Sequence, residues 1–468
     1  MDTRRDFLKA GAVALTVAAT KPLFGVQGAN DRIRLGVIGC GNRSGRVFDA
    51  FARQSNVQWV AGAEVNKAKL DQFMTPARQT FKLEIVGDYR RILDRTDIDA
   101  VLIGTPDHWH HQQTIEAISA GKDVYIEKPA ANTIPRLNAM LDAYRKGKQV
   151  VQVGTQQRSW DHFIEAKKIL DSGTLGSITH IFIVQPGSYA RPKEPQQPVP
   201  PGLDWEMWQG PAERRPFKPS RLGFRAWYEY GGGLVADWGA HHVDVAHWFM
   251  NADTKVPLKT VATGAFLTVP DADPEQVPDT FSISWQYDKF LMTFANGEVP
   301  RALEDLEGWG VFFVSPGRGA LQVNRMGWVV RPTVPRTIRK HEPPPPPTAG
   351  GVSLPGAATR GGASPAGTGA GGPGGRAGGG RGRGAGRGSD QPPLEHKIYL
   401  NPRGGVEEDY PLDAHVVNFL ECMRSRRKPA ADLEIGYHAA LPCLLGVEAL
   451  QQGKTLGWDA AARRSVVL

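Results

Sequence analysis

Three cysteines in 468 residues, Cys40, Cys422 and Cys443, leave no disulfide framework to define the fold. Cys40 lies inside a glycine loop, where a bridge would obstruct the backbone. The apolar, alanine-rich stretch at residues 10–19 falls short of the ~20 residues that a membrane-spanning helix needs, so no stable membrane anchor is expected. No His-Glu-x-x-His spacing or paired cysteines offer a metal site, and no metal is expected. The tract at residues 343–393 lacks every aromatic residue. Proline, glycine, alanine, serine and arginine cannot bury enough apolar surface to offset ordering entropy, which predicts a disordered insertion. The formal charge of +8 invites a nucleic-acid reading, but Arg360, Arg376, Arg381, Arg383 and Arg387 of that tract, offset by Asp390 alone, supply four of the eight charges. Residues 1–29 supply two more, so the remainder is nearly neutral and no nucleic-acid partner is expected.

What is present is ordinary for a globular chain, 41% hydrophobic and 22% charged, and its length suits two domains. Thr3-Arg4-Arg5-Asp6-Phe7-Leu8-Lys9 matches a twin-arginine export signal and is followed by the apolar stretch. Residues 1–29 therefore read as an address, and the expected location is periplasmic. Over residues 30–154, short apolar runs alternate with amphipathic stretches, the pattern of a parallel sheet with crossover helices. Strands are expected at residues 33–38, 57–63, 100–103, 124–126 and 150–153. Residues 155–342 change texture towards an α+β domain with an open, mainly antiparallel sheet. That domain holds a long Pro- and Trp-rich loop at residues 192–227 and a helix at 235–249. After the insertion, residues 394–468 form a closing segment whose helices, 413–423 and 435–451, are expected to pack back on the first domain.

Chemistry concentrates in three places. The run Ile33–Ile38 enters Gly39-Cys40-Gly41-Asn42-Arg43-Ser44-Gly45. Gly39 permits a tight turn, Gly41 allows close backbone approach to a pyrophosphate, and small Ser44 stands where a third glycine is usual. Asn42 and Arg43 open the following helix. Glu64, 25 residues past Gly39, ends the next strand and suits ribose hydroxyls while repelling a 2′-phosphate, favouring NAD over NADP. Next, Thr105-Pro106-Asp107-His108-Trp109-His110 and Glu127-Lys128-Pro129 follow two further strands. The restricted Lys128 side chain would serve as proton acceptor in its neutral amine form or as hydrogen-bond donor. Third, Asp237, His241 and Asp244 share a helix face at i, i+4 and i+7 after a triple glycine, an arrangement able to orient an acid–base pair.

Together these motifs resemble the Gfo/Idh/MocA oxidoreductases, on the Gly39 loop, Thr105-Pro106-Asp107 with His110, Glu127-Lys128-Pro129 and Asp237-x-x-x-His241-x-x-Asp244. Gly154-Thr155-Gln156-Gln157-Arg158-Ser159 and the Trp-rich loop look like the exported branch. The resemblance covers residues 31–330 and the closing helices. It implies a Rossmann domain with a second α+β domain, Thr105, Pro106, His110 and Glu127 beside the cofactor, and Lys128, Asp237 and His241 facing substrate. It also implies sugar or cyclitol substrates and a homo-oligomer, a dimer or tetramer, formed through the open sheet. Arg158 and Trp205 are further candidate substrate contacts.

The expected reaction is hydride transfer between NAD and a hydroxyl-bearing carbon. His241 takes the proton, Lys128 assists and Asp237 orients the substrate. Free NAD is scarce outside the cytoplasm, so a tightly bound cofactor and a redox-neutral glycoside hydrolase or epimerase are the alternative. A sugar–sugar oxidoreductase and a non-catalytic carbohydrate-binding protein are further possibilities.

Overall fold

The computed structural model describes residues 32–297, 306, 308–333, 394–400 and 412–468. The export signal and the insertion at 343–393 lie outside the described residues. Six parallel strands form the first sheet: β1 (Ile33–Ile38), β2 (Val57–Ala63), β3 (Glu84–Val86), β4 (Ala100–Ile103), β5 (Asp123–Ile126) and β6 (Val151–Val153). Their order is β3-β2-β1-β4-β5-β6. Every residue of β4 and β5 is buried, as strands covered on both faces should be, and β4 is apolar throughout. The intervening helices are α1 (Asn42–Ala52), α2 (Lys67–Phe73), α3 (Pro76–Gln79), α4 (Arg90–Leu93), α5 (Asp107–Ser119) and α6 (Ile134–Lys146). Strand order reverses between β1 and β4, so a crevice opens at their carboxyl ends.

After α7 (Asp161–Asp171) comes β7 (His180–Val184), the first strand of a ten-stranded sheet. It continues with β8 (Lys259–Ala265), β9 (Thr280–Gln286), β10 (Leu291–Ala295), β11 (Gly310–Ser315), β12 (Gly319–Asn324), β13 (Gly327–Pro332), β14 (Lys397–Leu400), β15 (Leu456–Asp459) and β16 (Arg464–Val467). The order is β14-β13-β12-β11-β7-β10-β9-β8-β15-β16, antiparallel except where β7 and β10 run parallel. In β9, Phe281, Ile283 and Trp285 point into the core while Ser282 and Gln286 face out, the alternation of a sheet covered on one face. The covering layer includes α9 (Gly233–Phe249), almost wholly buried.

The Trp-rich loop is ordered as expected, and it contains α8 (Trp205–Gln209) and two 3₁₀ turns, Pro219–Leu222 and Phe224–Ala226. Trp205, Trp208, Phe217, Trp227 and Tyr230 give it a small core of its own. The closing segment differs from expectation in one respect. Besides α10 (Asp413–Ser425) and α11 (Leu433–Gln452), it contributes β14, β15 and β16 to the second sheet. Helix α11 also does more than return to the first domain. Leu441 and Leu444 join the first core, while Cys443 and Val447 join the second, so one helix is shared by both.

Candidate active site

Gly39 adopts φ +84°, and a Cβ there would stand 2.8 Å from the Thr105 nitrogen. Only glycine fits, because the left-handed turn brings two loops into contact. Gly41 caps α1, and nothing lies within 4 Å of the Cβ position it lacks. The helix terminus with its unsatisfied N–H groups is thus open to an anion. Ser44 is buried and donates to the Gly104 carbonyl (3.3 Å), so a small residue here lets α1 lie against the end of β4.

Glu64 lines the adjoining recess of about 150 Å³ together with Gly39, Gly41, Asn66, Thr105 and Pro106. Its carboxylate already accepts the N–H groups of Cys40 (2.7 Å), Val65 (2.9 Å) and Asn66 (2.9 Å). A carboxylate offers about four acceptor sites, which leaves one for a ligand hydroxyl. Burial raises its pKa and these N–H groups oppose the rise. The turn of β2 is therefore built around the acid. These residues fit a dinucleotide: an open helix terminus for the pyrophosphate and a positioned acid for a ribose.

The larger part of the cleft, about 480 Å³, is lined by Gly41, Asn42, Arg43, Thr105, His110, Glu127, Lys128, Asp237 and His241, all expected from the sequence. Asp107, Gln156, Tyr189, Arg225 and Arg325 line it as well. Arg43 pairs with Glu127 (2.9 Å). His110 directs one ring nitrogen at the Pro129 carbonyl (2.7 Å) and the other at the Thr105 carbonyl (2.8 Å). It clamps together the loops that carry Thr105 and Lys128, and neither nitrogen remains for a ligand.

Lys128 donates to the Asp237 carboxylate and to the Asp237 carbonyl (3.2 Å). The same carboxylate accepts from Arg225 Nε (2.9 Å) and from the Tyr189 hydroxyl. Burial would raise the Asp237 pKa, but the Lys128 and Arg225 charges outweigh it and hold the acid ionised, well below the usual carboxylate range. The expected Asp237–imidazole pair is accordingly corrected. Asp237 positions Lys128, not His241. Burial, reinforced by the Lys128 charge, pushes His241 well below the usual imidazole range. The ring is neutral and its Nδ1 has no hydrogen-bond partner among the described residues. Asp107 is also buried, and burial lifts its carboxyl to about 7 against the nearby Arg225 charge.

Two substrate candidates are placed elsewhere. Arg158 is buried and absent from the cleft lining, and Asp244 (2.9 Å) and Asp253 (2.6 Å) hold its guanidinium. Asp244 therefore leaves the Asp237–His241 constellation, because its carboxylate belongs to Arg158. Trp205 stacks on Trp208 (4.8 Å) and donates to the Arg215 carbonyl (2.9 Å), a wedge inside the loop core. Sequence reasoning missed Tyr189 and Arg225, which come from irregular segments and show no periodic signal. Asp107 was legible as part of the Thr105 motif, without a role.

Residues 33–155 match the description "oxidoreductase family, NAD-binding Rossmann fold", and residues 162–298 match that family's C-terminal alpha/beta domain. The chain belongs to the Gfo/Idh/MocA oxidoreductase family. Among curated proteins it resembles the uncharacterized oxidoreductase YrbE of Bacillus subtilis (strain 168), 25% identical over 53% of this chain and 64% of the relative. An inositol 2-dehydrogenase of Klebsiella pneumoniae is 35% identical over 20% of this chain and 28% of the relative. The chain thus spans less than two thirds of these relatives' lengths. The structure of the WlbA dehydrogenase of Bordetella pertussis, in complex with NADH and UDP-GlcNAcA, superposes with a TM-score of 0.57 at 16% identity. That match covers 92% of this chain and 98% of the other, so the two share a fold that includes the second sheet.

Proposed function

We propose that the protein is an NAD-dependent oxidoreductase that moves a hydride to or from a hydroxyl-bearing carbon of a sugar or cyclitol. The observation that carries this reading is the convergence of the Gly39 loop, Lys128 and neutral His241 on one cleft. Gly41, Asn42 and the terminus of α1 would hold the pyrophosphate, Glu64 a ribose, and Thr105 and Pro106 the wall beside them. Glu64 supports NAD over NADP. Bound nicotinamide supplies the hydride acceptor. The protein's own part is proton handling and positioning. Neutral His241 accepts the hydroxyl proton, the Lys128 ammonium stabilises negative charge growing on the substrate oxygen, and Asp237, Arg225 and Tyr189 fix the lysine in place. The inositol 2-dehydrogenase relative supports a polyhydroxylated substrate. Purified protein given NAD and a panel of sugars and cyclitols should generate the absorbance of reduced nicotinamide. A Lys128→Ala variant as active as the parent would overturn the assignment.

A second reading, a redox-neutral glycoside hydrolase or epimerase, is favoured by Asp107. A simple alcohol oxidation uses one proton acceptor, whereas this cleft holds both a neutral imidazole and a carboxyl near 7. Glycoside release without net NADH would support it.

The motif at residues 3–9 supports export by the twin-arginine route to the periplasm, testable by fusing residues 1–35 to a reporter. Homo-oligomerisation is supported by the outer face of the second sheet, where Phe182 and Val261 are exposed in one cross-strand row through Thr293 and Ser284. Sedimentation of the parent and of Phe182→Asp tests that assembly.

A further inference from the structure

The catalytic cleft does not end at Lys128 and His241. A second cavity of about 500 Å³ opens beside it, bounded by residues 189–194 and 219–225. The two share Tyr189, Leu222, Phe224 and Arg225 in their walls. Two of those four residues hold Asp237, so the partition between the cavities is itself part of the catalytic apparatus.

The outer cavity is built, not left over between loose loops. The Arg191 N–H donates to the Gln276 side chain (2.7 Å), and Lys193 N–H donates to the Asp271 carbonyl (2.9 Å). Across the cavity, Ser220 N–H donates to the Glu194 carboxylate (2.6 Å), joining the two bounding segments. Beneath them Arg221 is buried, pairs with Glu229 and with Glu275 (2.7 Å), and stacks over Trp227 at 4.2 Å. The lining mixes apolar surface from Pro192, Pro219, Leu222 and Phe224 with charged groups that are mostly positive. Arg191 and Lys193 face it with Arg225, whose charge is shared with Asp237, and they outnumber Glu194, its one lining carboxylate among the described residues, which accepts the Ser220 N–H. At the shared wall the Arg225 guanidinium lies 4.6 Å from the Phe224 ring and 6.0 Å from that of Tyr189. Aromatic faces at the neck suit the apolar face of a sugar ring. A positive chamber beyond it suits an anion.

Resting on the proposed oxidoreductase reading, we infer that this cavity is an outer subsite for the second residue of a saccharide, and that this residue carries a negative charge. The substrate is then an acidic disaccharide or longer glycoside, its inner ring beside Lys128 and its outer ring between the 189–194 and 219–225 segments. Uronate and sulfate groups share the chemistry that Arg191 and Lys193 would recognise.

The test is binding to the full purified chain with NADH present. Matched mono- and disaccharides are titrated, each disaccharide in neutral, uronate and sulfated forms. At least one acidic disaccharide should bind roughly ten-fold tighter than its neutral counterpart and than its inner monosaccharide. The uronate and sulfate arms then identify the anion. In Arg191→Glu/Lys193→Glu, two exposed positions outside the catalytic apparatus, that advantage should vanish while melting temperature and NADH affinity stay at parental values. Acidic disaccharides that bind no better than neutral ones, or a preference that survives the double charge reversal, overturn the subsite. Failure to bind NADH would instead strike the oxidoreductase reading beneath it.

Discussion

Asp107 offers the sharpest physical test, because its carboxyl is buried among charges and its side chain makes no hydrogen bond recorded among the described residues. The groups facing it are Arg225, Asp237, Lys128 and Glu127. Burial dominates and lifts its pKa from 3.8 to about 7, Arg225 opposing the rise. Below pH 3.8 the carboxyl is protonated in both folded and unfolded chains and contributes nothing to pH dependence. As pH rises from there, the unfolded chain ionises freely while the folded one holds its proton, so folding loses stability. The loss grows by ~1.4 kcal/mol per pH unit and stops near pH 7, where the folded carboxyl ionises too. A shift of about three units amounts to roughly 4 kcal/mol at full development. Asp107→Asn keeps the shape and removes the charge. Urea unfolding of variant and parent, without ligand, should therefore give a stability difference that widens in the variant's favour from pH 4 to pH 7 and is level above it. Other titrating groups cancel in the difference. Curves that run parallel at every pH, or a variant less stable above pH 7, would refute the reasoning.

Lys128→Met should lower kcat by roughly a hundred-fold or more while NADH still binds, since Asp237 keeps Arg225 and Tyr189 as partners; single-turnover kinetics and fluorescence titration separate the two effects. Arg158→Met should lose ~3 kcal/mol or more of stability, because Asp244 is left buried without its cation, yet leave the KM for sugar unchanged. A selective rise in that KM would restore Arg158 as a substrate contact. Glu64→Gln should weaken NAD binding and narrow the NAD/NADP ratio by roughly ten-fold, read as two dissociation constants.

How far these features were legible depends on whether each is local. The strands β1, β2 and β4 match their expected limits because each is a short, mostly apolar run, and β4, buried on both faces, is apolar throughout. Glycine loops and the Glu127-Lys128-Pro129 turn are equally local, so the cofactor wall and Lys128 were readable. The strands β12 to β16 were not, since they are defined by their neighbours through pairings such as Gly327 with Leu400. The same distinction divides the site. Asp237 and His241 share a helix face, and helical spacing suggested that they act as a pair. The folded chain instead gives Asp237 partners from residues 128, 189 and 225. Burial makes the difference, because an ionised acid in that position needs compensating positive charge more than it needs a neutral imidazole four residues away. Arg158 illustrates the converse. A lone arginine in a turn reads equally well as a ligand contact or a surface charge, and Asp244 and Asp253, 86 and 95 residues distant, decide for neither. Residue type and spacing thus identify the groups able to do chemistry, while the charge balance of the buried interior decides which of them are free to do it.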